Sequence, residues 1–181
     1  GHQPLKDGIY CTIHCLVILG AVLPLILFPP YAQRAVSGAY EVATSKYTWV
    51  DPSRIDEFSD VDQNRALTVE FWYPQTAGGS YPLIIFSHGA FGFSGSNYST
   101  CAELASNGYV VASIGHTYQA FYTMDTNNKL TLADSDFLEK ATEINAVHDT
   151  KNEGDIYNTT QEWRKLRTDD ENFVINTILN P

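Results

Sequence analysis

Residues Leu83 to Phe86 are apolar without alternation, and they run straight into His88-Gly89 and a group of glycines that ends at Gly95 (YPLIIFSHGAFGFSG, Tyr81 to Gly95). A strand that abandons polar–apolar alternation is one covered on both faces, as in a parallel sheet. Beyond the turn, Tyr98, Cys101, Ala102 and Ala105 recur at helical spacing, and Asn107-Gly108 supplies a stop. YVVASI, Tyr109 to Ile114, is then a second unalternating strand. This order predicts a βαβ unit with parallel strands and a right-handed crossover. Ligands of open parallel sheets bind outside the carboxyl ends of the strands, so the turn from His88 to Gly95 lies where chemistry is done.

The flanking sequence fits a mixed α/β domain. RALTVEFWY, Arg65 to Tyr73, alternates cleanly. Leu67, Val69, Phe71 and Tyr73 form a buried face, and Ala66, Thr68, Glu70 and Trp72 a partly exposed one. Pro74 ends this strand and Ala77-Gly78-Gly79-Ser80 turns the chain. Upstream, Tyr47 to Val50 is a short β-prone run stopped at Asp51-Pro52. Residues Gln119 to Asn158 are polar and irregular, with a short helix expected from Asp134 to Val147, as part of a lid or as a surface excursion. A last helix reads TTQEWRKLRTDDENFVINTIL, with Thr159 and Glu162 at capping-box spacing. Its expected buried stripe is Trp163, Leu166, Phe173, Val174 and Ile178.

From Ile13 to Tyr31 the chain reads IHCLVILGAVLPLILFPPY. The run falls between a signal-peptide core of about 7–15 residues and a spanning helix of about 20. Pro24 is expected to break it and Pro29-Pro30 to end it. Lys6 offers a positive flank, and no small-x-small cleavage site follows Phe28. A membrane anchor, a signal peptide and a buried soluble segment remain open, the anchor being the first reading. The expected organisation is an anchor or signal-like segment plus linker over residues 1–36 and a globular part over 37–181, on the extracytoplasmic side. A net charge of −10, with no run of Lys or Arg, excludes a nucleic-acid partner. Three cysteines make no disulfide framework, and Cys11, His14 and Cys15 lack a second half of a metal site. His88, His116 and His148 show no metal spacing either, so no metal or cofactor is expected.

The turn contains neither G-x-G-x-x-G nor a Gly-Lys-Ser/Thr, which argues against a phosphate. An oxyanion is the alternative: ester hydrolysis develops a negative oxygen that preorganised backbone N–H groups stabilise. The stretch YPLIIFSHGAFGFSGSNYSTCAELASNGYVVASIGHTY, with YTWVDPSRID and NRALTVEFWYP upstream, resembles α/β-hydrolases related to platelet-activating factor acetylhydrolase, including bacterial membrane-linked members. The likeness spans about Tyr40 to Tyr118.

That resemblance implies several expectations. The backbone at Ala90 and Gly89 forms half of an oxyanion hole, with the Ala90 N–H as donor. His88 supports the turn from beneath, and Phe91 and Phe93 line the cleft. Relatives tend to carry an acidic residue where this chain has Gly115, which leaves His116 without an assigned role. The family's nucleophile lies in G-x-S-x-G on a following strand, with the acid and histidine later still. No G-x-S-x-G occurs; Gly92-Phe93-Ser94-Gly95 has the wrong spacing, and Ser87 has no base near it in sequence. The expected fold is therefore an incomplete α/β-hydrolase, truncated before the nucleophile strand, with none of the triad present. The expected function is the N-terminal part of a serine carboxylic-ester hydrolase acting on a small-molecule or lipid ester. The alternative is a non-catalytic membrane-tethered module that binds a lipid or a protein through the same cleft.

Overall fold

The computed structural model describes residues 3–27, 34–76, 78–146 and 153–180. The chain divides into two compact units, Gly1–Ala35 and Val36–Pro181. The first contains helix α1 (Gln3–Leu27), which continues through position 24, where the sequence predicted a break. It leaves large apolar side chains such as Ile13, Leu16, Val17 and Leu19 exposed. Among the described residues no helix is long and apolar enough to cross a membrane, so the spanning anchor expected from residues 13–31 is not supported. Pro29, Pro30 and Tyr31 lie outside the described residues, as do Val147 and His148.

The second unit runs β1 (Val42–Ile55), β2 (Asn64–Pro74), β3 (Leu83–Ser87), α2 (Tyr98–Ser106), β4 (Val110–Gly115), the short hairpin β5 (Tyr122–Met124) and β6 (Leu130–Leu132), then α3 (Ser135–Ala146) and α4 (Glu153–Leu179). The main sheet has the order β1-β2-β4-β3. β1 and β4 are antiparallel to β2, and β3 is parallel to β4 as the βαβ pattern requires.

Strand alternation sets up two cores. Leu67, Val69 and Phe71 of β2 join Ala112 and Ile114 of β4 and Val174 of α4 on one face. On the other, Trp72 and Val111 pack with Cys101 and Ala105 of α2. On that face Trp72 is buried under α2 and Thr68 is buried too, while Ala66 and Glu70 stay partly exposed as expected. Gly108, at φ +90°, ends α2 in the left-handed conformation that glycine adopts freely. Gly38 crosses the same helix end so closely that a Cβ there would lie 2.0 Å from the Ser106 carbonyl oxygen.

Two boundaries differ from expectation. β1 is 14 residues long and passes through Asp51-Pro52. It is an edge strand, where a proline's missing N–H costs no ladder bond, and its register shifts between Asp51 and Ile55. α4 begins at Glu153, so Thr159 is a helix-interior residue rather than a cap. The neighbouring Thr160 hydroxyl bonds back to the Ile156 and Tyr157 carbonyls within the same helix.

Candidate functional site

The register brings several chain segments to one end of the sheet. Ser87, the last residue of β3, is level with Ile114 of β4, and Thr68 of β2 with Gly115. Asp51 of β1 is level with Arg65. The turn after β3, His116 after β4, the start of β2 and the end of β1 therefore emerge together.

The turn is closed by Gly92 N–H donating to the Gly89 carbonyl at 3.1 Å. Phe91 stands at φ 60°, the left-handed region where a non-glycine residue is strained. Gly89, Ala90 and Phe91 are exposed, while His88 beneath them is buried. Among the described residues, the N–H groups of Ala90 and Phe91 have no acceptor. Phe93 stacks on Tyr122 with ring centroids 4.8 Å apart, forming an aromatic wall beside the turn.

His88 supports the turn in a specific way. Its Nδ1 is 2.8 Å from the Gly89 carbonyl oxygen, an acceptor only, so Nδ1 carries the proton. Nε2 is then a buried acceptor with no hydrogen-bond partner among the described residues. Burial pushes the ring's pKa down to about 4, with the Gly89 bond opposing and Arg167 and His116 reinforcing, so the imidazole is neutral at pH 7.

Sequence reasoning missed the next layer. Ser87 Oγ is 2.8 Å from His116 Nε2, and His116 Nδ1 is 2.9 Å from Asp170 Oδ2 of α4. Asp170 also accepts from Arg65 Nε at 2.7 Å and Nη2 at 2.8 Å, and Arg54 Nη1 lies 2.9 Å from it as an ion pair. Burial alone would raise the Asp170 carboxyl, but hydrogen bonds from Arg65 and His116, with their charges, hold it well below the usual carboxylate range. His116 is lowered by desolvation against the opposing pull of Asp170. The ionised Asp170 fixes the tautomer: His116 donates through Nδ1 and accepts the Ser87 proton at Nε2. Three residues before Asp170, Arg167 donates to the His88 carbonyl, to Gln119 Oε1 at 3.1 Å and to the Gln119 carbonyl at 3.1 Å.

Ser87, His116 and Asp170 thus have the spacing of a nucleophilic triad but not its access. His116 is wholly shielded from solvent, so no leaving group reaches its Nε2 in this arrangement. The Asp170 charge is shared with two guanidinium groups rather than reserved for the imidazole. Ser94, the other serine of the turn, is buried and donates to Glu70 Oε1 at 2.9 Å. A groove of about 830 Å³ opens between residues 54–60, α3 and α4, walled in part by Phe58, Phe137 and Trp163; no residue of the turn lines it.

One signal for the buried charges was present in the sequence. Arg167 and Asp170 fall at helical spacing inside the stripe that runs from Leu166 to Val174. Charges on a helix's buried face are there because something pairs them.

A sheet ordered β1-β2-β4-β3, with a glycine turn at the carboxyl end of β3, defines an α/β-hydrolase architecture. The family model for platelet-activating factor acetylhydrolase, isoform II, matches residues 58–169, more than half of the chain, and the chain belongs to that family. Its fold is also that of a ferulic acid esterase from Streptomyces cinnamoneus, with a TM-score of 0.55 at 21% identity. The alignment covers 80% of this chain and 48% of that one, so the chain spans about half the esterase's length.

Proposed function

We propose that this chain supplies the oxyanion-turn half of a serine carboxylic-ester hydrolase acting on a small-molecule or lipid ester. The observation that carries the proposal is the exposed Ala90 N–H, without an acceptor among the described residues, at the carboxyl end of β3. In such an enzyme a serine attacks the ester carbonyl, a histidine takes its proton and returns it to the leaving alcohol, and an acid orients the histidine. The Ala90 amide would meet the negative oxygen of the tetrahedral intermediate, with Phe91 and Phe93 beside the acyl or alcohol group. No cofactor enters this chemistry.

The Ser87–His116–Asp170 row favours a second reading, in which Ser87 is itself a nucleophile. One experiment separates the two. The chain is incubated with a short-chain nitrophenyl ester and, separately, with a fluorophosphonate probe. We expect no turnover above buffer and no labelled serine. Turnover and labelling that both disappear in Ser87→Ala would establish the second reading and defeat the first.

We also infer export or association with a lipid surface, on the strength of the apolar side chains that α1 leaves exposed. Cell fractionation of the protein with and without residues 1–36 tests this; identical soluble partitioning of both forms would refute it.

A further inference from the structure

We propose that α4 seats the oxyanion turn, with Arg167 and Asp170 as the positioning residues that decide where the Ala90 amide points. The inference rests on the oxyanion reading above and adds what holds that turn in place.

Besides its internal bonds on the Gly89 carbonyl and the contacts of Ser94 with Glu70 and Ser113, the turn is fastened at two places. At the start, the Ser87 side chain is tied through His116 to Asp170, and the adjacent His88 carbonyl accepts from Arg167. At the finish, the Gly92 carbonyl accepts from Phe121 N–H at 2.8 Å. Phe121 belongs to the segment whose residue Gln119 is held through both its side chain and its carbonyl by the same Arg167. At these two places every tether except the Phe121 bond ends on Arg167 or Asp170, which stand three residues apart on one face of α4.

Between the ends, Gly89, Ala90 and Phe91 are exposed, and the Ala90 and Phe91 amides have no acceptor among the described residues. The Gly89 carbonyl shares a peptide plane with the Ala90 N–H and accepts from His88 Nδ1 and Gly92 N–H, so the Ala90 amide keeps its direction while His88 and Gly92 are held in place. An oxyanion donor works only if it is already about 2.7–3.1 Å from where the charge develops. A displacement of about 1 Å by a change remote from the chemistry can cost about 100-fold in rate. Loosening Arg167 should therefore reduce turnover without weakening substrate capture.

The test uses Arg167→Met, which keeps the length of the side chain without its donors, and Arg167→Lys, which keeps the charge and a single reach to the His88 carbonyl. Amide hydrogen exchange is followed at Gly92 and Phe121, and kcat and KM are measured in the full-length esterase that carries this chain, at a temperature where circular dichroism shows each variant folded. We expect faster exchange at both amides in Arg167→Met. Its kcat should fall about 10- to 100-fold with KM within about twofold, and Arg167→Lys should recover part of the loss. Unchanged exchange at both amides would overturn the seating role by itself. Faster exchange with unchanged kcat would instead remove the oxyanion reading, and with it the catalytic meaning of the seat. A fall in kcat matched by loss of folded protein, with no recovery in Arg167→Lys, would reduce Arg167 to a stabilising residue and overturn the proposal.

Discussion

Asp170 and Val174 lie one helical turn apart on α4, both fully buried, yet they enter two different kinds of interior. Val174 closes an apolar cluster with Leu67, Val69, Phe71, Ala112 and Ile114. Asp170 sits in a cluster of Arg54, Arg65, His116 and, through Arg65, Asp56. The apolar cluster is built from interchangeable contacts, and its stability grows with the area removed from water. The charged cluster gains little over an apolar replacement, but the loss of one member strands the others. The first kind of interior holds the sheet together; the second fixes the direction in which one turn leaves it.

The comparison is broken most directly at its centre. Asp170→Ala leaves Arg65, Arg54 and His116 buried around a missing carboxylate and should cost about 3–5 kcal/mol. Urea unfolding of the Val36–Pro181 unit measures it. Arg65→Met should cost much less in that background than in the native one, because the charge it removes is already unpaired. Additive losses would show that the two side chains are not coupled.

Leu67→Ala, in the apolar cluster, should cost about 2–5 kcal/mol by the same measurement. Its loss should also be nearly independent of pH. A loss that varied with pH as steeply as the Asp170 loss would mean the two interiors are not energetically distinct.

Acid provides a third separation. An unfolded histidine takes up a proton near its ordinary pKa of 6.5, but buried His88 resists until about pH 4. Because the folded value is the lower one, its contribution is intact above pH 6.5, declines as pH falls and is exhausted near pH 4. The interval corresponds to about 3 kcal/mol at 1.36 kcal/mol per unit. His116 is lowered too and acts in the same direction. Asp56, raised by desolvation, opposes them near the carboxylate range. Asp170, held low, keeps its full contribution above the carboxylate range and loses it progressively as pH falls through that range and below. Urea midpoints between pH 7.5 and 4.5 should therefore decline, and His88→Gln should flatten the slope. Equal midpoints across the interval would contradict the buried neutral histidine.

The two interiors also differed in how far they could be read from sequence. Alternation in Arg65 to Tyr73 marks a strand because one face of it is apolar, and the unalternating run at Val110 marks β4, which is buried almost throughout. The similar run at Leu83 is also a strand, but as the sheet edge β3 it is only half-buried, not covered on both faces as expected. The parallel β3–β4 pair followed from the glycine turn and the small-residue stripe of α2. The charged cluster has no such period. Its members come from β1, β2, the end of β4 and α4, and the Arg65–Asp170 hydrogen bonds span 105 positions. Ser87 had no visible base because His116 stands 29 residues away and meets it only through strand register. β1 was underestimated because a proline reads as a strand stop in sequence, whereas at a sheet edge it is harmless.

The smallest effect concerns the glycines of the turn, and here geometry reverses the sequence-based emphasis on His88-Gly89. A Cβ added to Gly89 would meet nothing within 4 Å, and its φ is not in the left-handed region. At Gly92 the same atom would lie 3.1 Å from the Gly89 carbonyl oxygen and from the Cβ and Nδ1 of His88. His88 has little freedom to yield, packed against His116 with its carbonyl held by Arg167. Gly92→Ala should therefore lose about 1–3 kcal/mol, the usual cost of crowding a packed interior. Gly89→Ala should stay within about 0.5 kcal/mol of the native protein, as exposed substitutions do. Thermal melts of the two variants side by side decide the matter. If Gly89→Ala proved the more damaging, the turn would be limited by the conformation of its first glycine, and the tight closure over His88 would not be what shapes it.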